Sequence, residues 1–246
     1  MLQKAIFIFA VQEKRLKKQF FGAKYNFFRK RCSLCWPTFL SLFQTCWDTL
    51  YWNILQCDVH LLVMLTEASA ESSIIPYWPT KEGATVEVGN GFKITHLSSA
   101  TYEDAYTTTT LQLTHLPSGK SRTLWHLQYT DWGEAGCPTN VRAFLNFLEE
   151  LSALRNHIST NAAQIIGIGR NKNPPVLVHC SAGVGRTGVA ILTDILLYCV
   201  DHNVDIDIPK MLTHLRQQRM LMVQTVAQYK FVHTALIAYL KQSRLI

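Results

Sequence analysis

The sequence predicts a mixed α/β domain, and three observations predict it. Val59–Leu65 (VHLLVML) is a near-continuous apolar run, suited to a strand buried on both faces. Three segments further on carry strand chemistry and are separated by turn residues, which points to antiparallel pairing through short loops. From Val141 onward the apolar residues change to helical spacing, and a short apolar strand at Val176–Val178 leads through a glycine-containing loop into a helix.

Taken in order, Pro76 and Pro79 break the chain after the first strand. Phe92–Leu97 and Thr107–Leu116 read as strands, the latter helped by four consecutive threonines, and Pro117-Ser118-Gly119 is a turn signal. Thr123–Thr130 alternates and forms the next strand. Pro138 stands where a helix can start, and Phe144, Leu145, Leu148, Leu151 and Leu154 form the apolar stripe of a helix running to about His157. Residues 158–175 read as a polar loop ending in Pro174-Pro175. Helices are expected from about Thr187 to Asp201, from Pro209, and from Gln224 to Gln242.

At 246 residues, 48% hydrophobic and 17% charged, the chain can bury a sizeable core, which excludes a disordered protein. The net charge of +7 is unevenly placed: residues 1–31 hold nine Lys/Arg and Glu13 as their one acid, so the rest is close to neutral. A basic arm can contact acidic lipid or nucleic acid, but a solvated extension is the better account, and no nucleic-acid motif accompanies it. Seven cysteines without a regular framework fit free thiols in a reducing compartment. Cys32-x-x-Cys35 lacks a second half-site at metal-binding spacing. The run Ala5–Val11 has no convincing cleavage site after it, and no stretch reaches the ~18 apolar residues of a membrane span. A cytoplasmic setting is expected.

The most informative segment is His179-Cys180-Ser181-Ala182-Gly183-Val184-Gly185-Arg186-Thr187-Gly188. Small residues and glycines let the backbone curl so that successive amides of Ser181 through Gly185 point into one hollow at a helix N-terminus, an anion-binding nest. Arg186 closes the loop and can hold two oxygens of a phosphate at once. Cys180 lies at the floor. Thiols in such settings have pKa values lowered to roughly 3.5–7.5, and a thiolate beneath a phosphoryl group is placed for in-line attack. A bare Cys-x5-Arg would more simply be a structural cysteine at a strand end; here the flanking residues all agree with the cradle.

VHCSAGVGRTG resembles the signature of the protein tyrosine phosphatase family. Leu61–Glu67 (LLVMLTE), Tyr77-Trp78-Pro79, His126–Trp132 (HLQYTDW) and Met222–Tyr229 (MVQTVAQY) also look like family segments, in family order. The resemblance covers roughly residues 45–246 and is closest to the Pez-like, FERM-bearing non-receptor branch; these 246 residues hold no FERM domain. It implies a mixed, twisted central sheet flanked by helices, with the Cys-x5-Arg loop between a strand and a helix. It also implies hydrolysis of phosphotyrosine in proteins through a phosphocysteine, without metal or organic cofactor, in a cytoplasmic and cytoskeleton-associated protein. The chain divides into a basic, aromatic segment, 1–44, and a partial catalytic domain, 45–246.

The family places its general acid in a mobile Trp-Pro-Asp loop. The matching segment here is Trp132-Gly133-Glu134, so Glu134 takes the acid's place and Gly133 that of the proline. Glu has nearly the pKa of Asp but is one methylene longer, and a misplacement on the order of 1 Å can cost about 100-fold. Weakened turnover is therefore expected. Asp131 is the poorer candidate, because the family acid follows the Trp.

The resemblance further implies that Gln224 orients the hydrolytic water and that Gln228, four residues on along the last helix, lies near the phosphate. His179 and Thr187 support the thiolate from behind. Arg216 and Arg219 brace the loop. Trp132, Trp125, Tyr129 and Trp52 pack rather than recognise. The family's phosphotyrosine-recognition motif, which deepens the pocket, has no counterpart in residues 1–44; Lys24-Tyr25-Asn26 is only an echo of it. The central sheet is expected to lose its usual N-terminal partners. The second reading is thus a binding module, a pseudophosphatase whose intact cradle holds phosphotyrosine with little turnover.

Overall fold

The computed structural model describes residues 9–12, 26–27, 47–67, 76–89, 91–133, 136–161 and 174–243. In chain order the elements are β1 (Phe9–Gln12), β2 (Asn26–Phe27), α1 (Trp47–Gln56), β3 (Leu61–Met64), β4 (Thr85–Val88), β5 (Phe92–Tyr102), β6 (Tyr106–His115), β7 (Lys120–Tyr129), α2 (Val141–Thr160), β8 (Val176–His179), α3 (Gly185–Asp201), α4 (Ile208–Gln218) and α5 (Val226–Gln242). The strands form one mixed sheet in the order β2-β1-β8-β3-β7-β6-β5-β4.

β3 is the hub. It lies parallel to β7, with Leu61 opposite Trp125, and parallel to β8, with Met64 opposite His179; the other pairings are antiparallel. The C-terminal ends of β7, β3 and β8 therefore open on one edge of the sheet, where loops of parallel strands gather into sites. The pleat sends alternate residues of β3 to opposite faces. Leu61 and Val63 join Phe144, Phe147 and Leu148 of α2 and the apolar faces of α3 to α5. Leu62 and Met64 join Leu50, Tyr51 and Ile54 of α1, with Tyr77 and Trp78. The continuous apolar run of this segment is the direct sign of those two cores. Each fully buried side chain of this size contributes about 1.5–3 kcal/mol relative to exposure.

The helix and strand expectations hold in kind, with differences at the ends. β5 runs on to Tyr102 past an irregularity between His96 and Ser98, and its last residues are exposed, so no alternation marks them. α2 begins at Val141, where the helical spacing begins, because Asn140 Oδ1 accepts from the amides of Arg142 and Ala143 and caps it; Pro138 lies ahead of the cap. It continues to Thr160, since Ile158 extends the buried stripe. α5 begins after Gln224: Thr225 is its N-cap, in a capping box with Gln228. Helix α1 and strand β4 had no sequence expectation. β1 also fills the place beside β8 that the sequence suggested was lost, pairing Phe9 with Val178. An open edge of β8 would leave a row of backbone donors and acceptors for any extended segment to take up.

Trp132 and Tyr129 are buried and Trp125 is partly so, as expected of packing residues. Trp52 is 41% exposed, its ring lying against Phe92 and His115 at the border of the core. Cys32 and Cys35 lie outside the described residues. Among the described cysteines, Cys57, Cys137, Cys180 and Cys199 are free thiols. No helix among the described residues is long and apolar enough to cross a membrane.

Candidate active site

Strand β8 delivers Cys180 to the open edge of the sheet, and the chain curls through 181–184 before entering α3. Cys180 is 2% exposed. Its Sγ accepts from the amide of Gly183 at 3.1 Å and from Thr187 Oγ1 at 3.2 Å. Gly183 has φ 67°, a left-handed conformation that only glycine adopts cheaply, and this is what turns the loop back over the sulfur. The N-cap Val184 offers no side-chain acceptor to the first amides of α3, which leaves those donors suited to an anion. Arg186, in the first turn of α3, is buried and donates from a guanidinium nitrogen to the Leu65 carbonyl at the end of β3, 3.2 Å away.

The turn between α4 and α5 backs this loop. The amide of Val223 donates to the Val184 carbonyl at 3.2 Å. Arg216 holds the same turn by donating to the carbonyls of Met222 (3.0 Å) and Val223 (2.8 Å). Arg219 donates to the carbonyls of Gly183 (2.9 Å) and Ala182 (3.4 Å). Both arginines therefore brace the loop region, as the sequence suggested. Gly188 makes the close approach feasible, since a Cβ there would sit 2.3 Å from the Val223 nitrogen.

Gln228 is buried, and its Oε1 accepts from the amide of Gln224 at 2.8 Å. A Cβ on Gly185 would lie 2.9 Å from Gln228 Nε2 and 3.4 Å from Gln224 Oε1, so both amides border the cradle. Gln224 itself is exposed and precedes the helix. The pair is thus brought together by the capping box and not by helical spacing, a correction to the sequence expectation.

Behind the sulfur lies a polar network that sequence spacing did not reveal. Tyr77 Oη lies 2.7 Å from His179 Nε2 and 3.0 Å from His126 Nε2. Burial pushes His179 down to about 4, and burial together with the neighbouring His179 pushes His126 down to about 3. Both imidazoles are therefore neutral near pH 7. Burial also holds the Tyr77 hydroxyl protonated, its pKa well above the ordinary value. The Tyr77 hydroxyl can donate to only one imidazole, so the other donates its Nε2 proton to the tyrosine oxygen. Tyr77-Trp78-Pro79 stood out in the sequence only as a motif. No local signal ties it to a histidine 102 residues away.

Two contacts hold the described residues of the segment after β7. Trp132 is 3% exposed, packs on Tyr129, Phe144 and Phe231, and donates from Nε1 to the Gly136 carbonyl at 2.9 Å. Asp131 Oδ2 accepts from Thr139 Oγ1 at 2.6 Å, a staple across the loop rather than a free acid. Glu134 lies outside the described residues.

A family model described as protein-tyrosine phosphatase matches residues 40–238. The chain belongs to the protein-tyrosine phosphatase family. Tyrosine-protein phosphatase non-receptor type 14 of Mus musculus is 45% identical over 206 residues, covering 82% of this chain and 17% of that protein. Tyrosine-protein phosphatase non-receptor type 21 of Rattus norvegicus is 46% identical over 207 residues, again 82% of this chain and 17% of that protein. Tyrosine-protein phosphatase non-receptor type 2 of Rattus norvegicus is 32% identical over 191 residues, 77% of this chain and 43% of the relative. This phosphatase-family chain thus spans less than a fifth of the length of the first two relatives.

Proposed function

We infer that the chain hydrolyses phosphotyrosine in proteins through a phosphocysteine intermediate. The observation that carries this reading is the convergence of the Gly183 amide and the Thr187 hydroxyl on Cys180 Sγ, beside a buried Arg186. In the first step the Cys180 thiolate attacks phosphorus in line. The S–P bond forms as the bond to the tyrosine oxygen breaks, and Glu134 gives its proton to that oxygen. The amides of Ser181, Ala182, Gly183, Val184 and Gly185, with Arg186, meet the charge on the equatorial oxygens. In the second step water, oriented by Gln224 and deprotonated by Glu134, attacks the phosphocysteine; orthophosphate leaves and the thiolate returns. Gln228 steadies Gln224, and His179 and Thr187 hold the sulfur from behind.

Phosphotyrosine proteins are the substrate class because the relatives carry the name tyrosine-protein phosphatase, and their non-receptor designation supports a cytoplasmic setting. The test is phosphate release from a phosphotyrosine peptide by folded wild type, Cys180→Ser and Glu134→Ala. Cys180→Ser abolishes turnover, and Glu134→Ala lowers kcat about 10²–10⁴-fold. A wild type that binds the peptide without releasing phosphate is the binding module instead. Equal turnover of a phosphoserine peptide removes the tyrosine preference.

A further inference from the structure

We propose that Tyr102 is a phosphorylation site for a protein tyrosine kinase, and that its phosphate loosens the hairpin turn that holds the first residues of the loop after β7. Of the described tyrosines only Tyr102 is exposed, at 42%; the others are buried or half-buried. It ends β5, and Glu103 and Asp104, both exposed, follow it in the turn to β6. β4 covers the outer edge of β5 only from Phe92 to Thr95. Beyond the irregularity at His96/Ser98, residues 98–102 pair with β6 alone among the described residues, and all of them are exposed. An uncovered strand edge can be taken up by backbone pairing, the way an extended segment is read around a target residue. In the transfer, Tyr102 Oη bonds to the γ-phosphorus of ATP as the bond to ADP breaks, and the hydroxyl proton goes to the base of the kinase.

The surroundings of Tyr102 suit an uncharged ring. It stacks on Tyr106 across the hairpin, with ring centres 5.1 Å apart. Burial raises the pKa of Tyr106, and Glu150, Tyr102, Glu103 and Glu149 raise it further, which puts three carboxylates beside the pair of rings. Neither these carboxylates nor Asp104 form an ion pair among the described residues. A phosphate adds a charge of about −1.5 to −2 at that point, and the carboxylates repel it. The turn is poorly placed to resist, because Glu103 (φ 48°) and Asp104 (φ 52°) are both left-handed without being glycine. It is closed by the Ala105 amide, which donates to the Tyr102 carbonyl at 2.9 Å. The same turn holds the chain that leaves β7. The Ala105 carbonyl accepts from the amides of Thr130 (2.8 Å) and Asp131 (3.4 Å) and from Thr130 Oγ1 (3.0 Å). The Asp104 carbonyl accepts from the same hydroxyl at 3.3 Å. Charge placed on Tyr102 therefore reaches Thr130 and Asp131 through the turn itself.

The modification stands apart from the reading of the catalytic site; only its effect on turnover rests on Glu134 as the acid of that loop. The test uses the full chain as Cys180→Ser, so that it does not remove its own phosphate, with MgATP and a purified tyrosine kinase selected for acting on the free peptide 96–107. Phosphopeptide mass spectrometry finds Tyr102 as the main phosphorylated residue of the folded chain, and Tyr102→Phe loses that signal. In the phosphorylated chain the amides of Thr130 and Asp131 exchange hydrogen about five- to tenfold faster than in the unmodified chain.

Wild type marked with the γ-thio analogue of ATP, which leaves a slowly hydrolysed thiophosphate, turns over a phosphotyrosine peptide about fivefold more slowly at an unchanged KM. Phosphate that reaches Tyr102 only after the chain is unfolded in urea overturns the proposal. Phosphate on Tyr102 of the folded chain with unchanged exchange at Thr130 and Asp131 overturns the loosening of the turn. An unchanged kcat in the marked wild type overturns the coupling to the reaction. Faster exchange in a chain that shows no turnover, marked or unmarked, supports the proposal and defeats the phosphatase reading instead.

Discussion

The domain contains the same local design twice, once after β8 and once after β7, and different contacts hold the described residues of the two copies. Each is a parallel strand, a loop and a helix: His179 to Gly185, and Tyr129 to Val141. The first loop is tied along its length. Its sulfur takes two donors, its carbonyls at Ala182, Gly183 and Val184 are held by Arg219 and the Val223 amide, and Arg186 is docked on β3. Among its described residues the second loop is held by Trp132 to Gly136, Asp131 to Thr139 and the Asn140 cap. Dipoles that stabilise a transition state must already be oriented when charge develops, which demands the first design. In the mechanism proposed above the second loop carries the proton donor, a different task.

The largest break in this contrast comes from Arg186→Lys. It exchanges a docked fork for a point charge, and kcat falls about 10²–10³-fold in steady-state kinetics. A fall under tenfold would mean that the cradle does not need the planar group.

Acid tests the rigid loop from behind. His126 and His179, held by burial at about 3 and about 4, stay neutral in the folded chain while the unfolded chain binds protons near pH 6.5. Their contribution to stability is complete above that pH and is lost as the pH drops toward 4 and 3. By pH 5 each costs about 2 kcal/mol, read as a lower urea midpoint than at pH 7. Equal midpoints at the two pH values would contradict a neutral Tyr77–His network.

Gly188→Ala drives a Cβ into the backbone of the turn that backs the loop. It destabilises the fold by about 1–3 kcal/mol in thermal or urea denaturation. Gly133→Pro is the matching experiment on the loop after β7. A Cβ at Gly133 meets nothing within 4 Å, and a stiffer hinge favours one loop arrangement by about 0.4–1 kcal/mol. The expected outcome is a two- to five-fold rise in kcat; a fall would show that the glycine's freedom serves the reaction.

Much of this was legible in the sequence, for local reasons. Cys180, Arg186, Thr187 and the glycines lie within nine residues, and a strand–nest–helix unit needs those residue types in that order. The apolar run at 61–65 announced a doubly buried strand. Helix α1 was hidden because its buried face, Leu50, Tyr51 and Ile54, lies among aromatics that carry no clear period. The Gln224–Gln228 pairing was anticipated on the wrong ground, helical spacing instead of a capping box, because helix ends are fixed by caps that periodicity does not register.

By itself, then, the sequence named the residues on which the proposed chemistry rests, Cys180 and Arg186, and the strand and helix types that carry them. Only the tertiary structure decided what holds the attacking loop in place. The Leu65 carbonyl, the Tyr77 hydroxyl and the Arg219 fork are 121, 102 and 36 residues from the groups they contact. Residue type is written in the local chain, whereas the partner of a buried donor is chosen by whichever distant segment packing brings within about 3 Å.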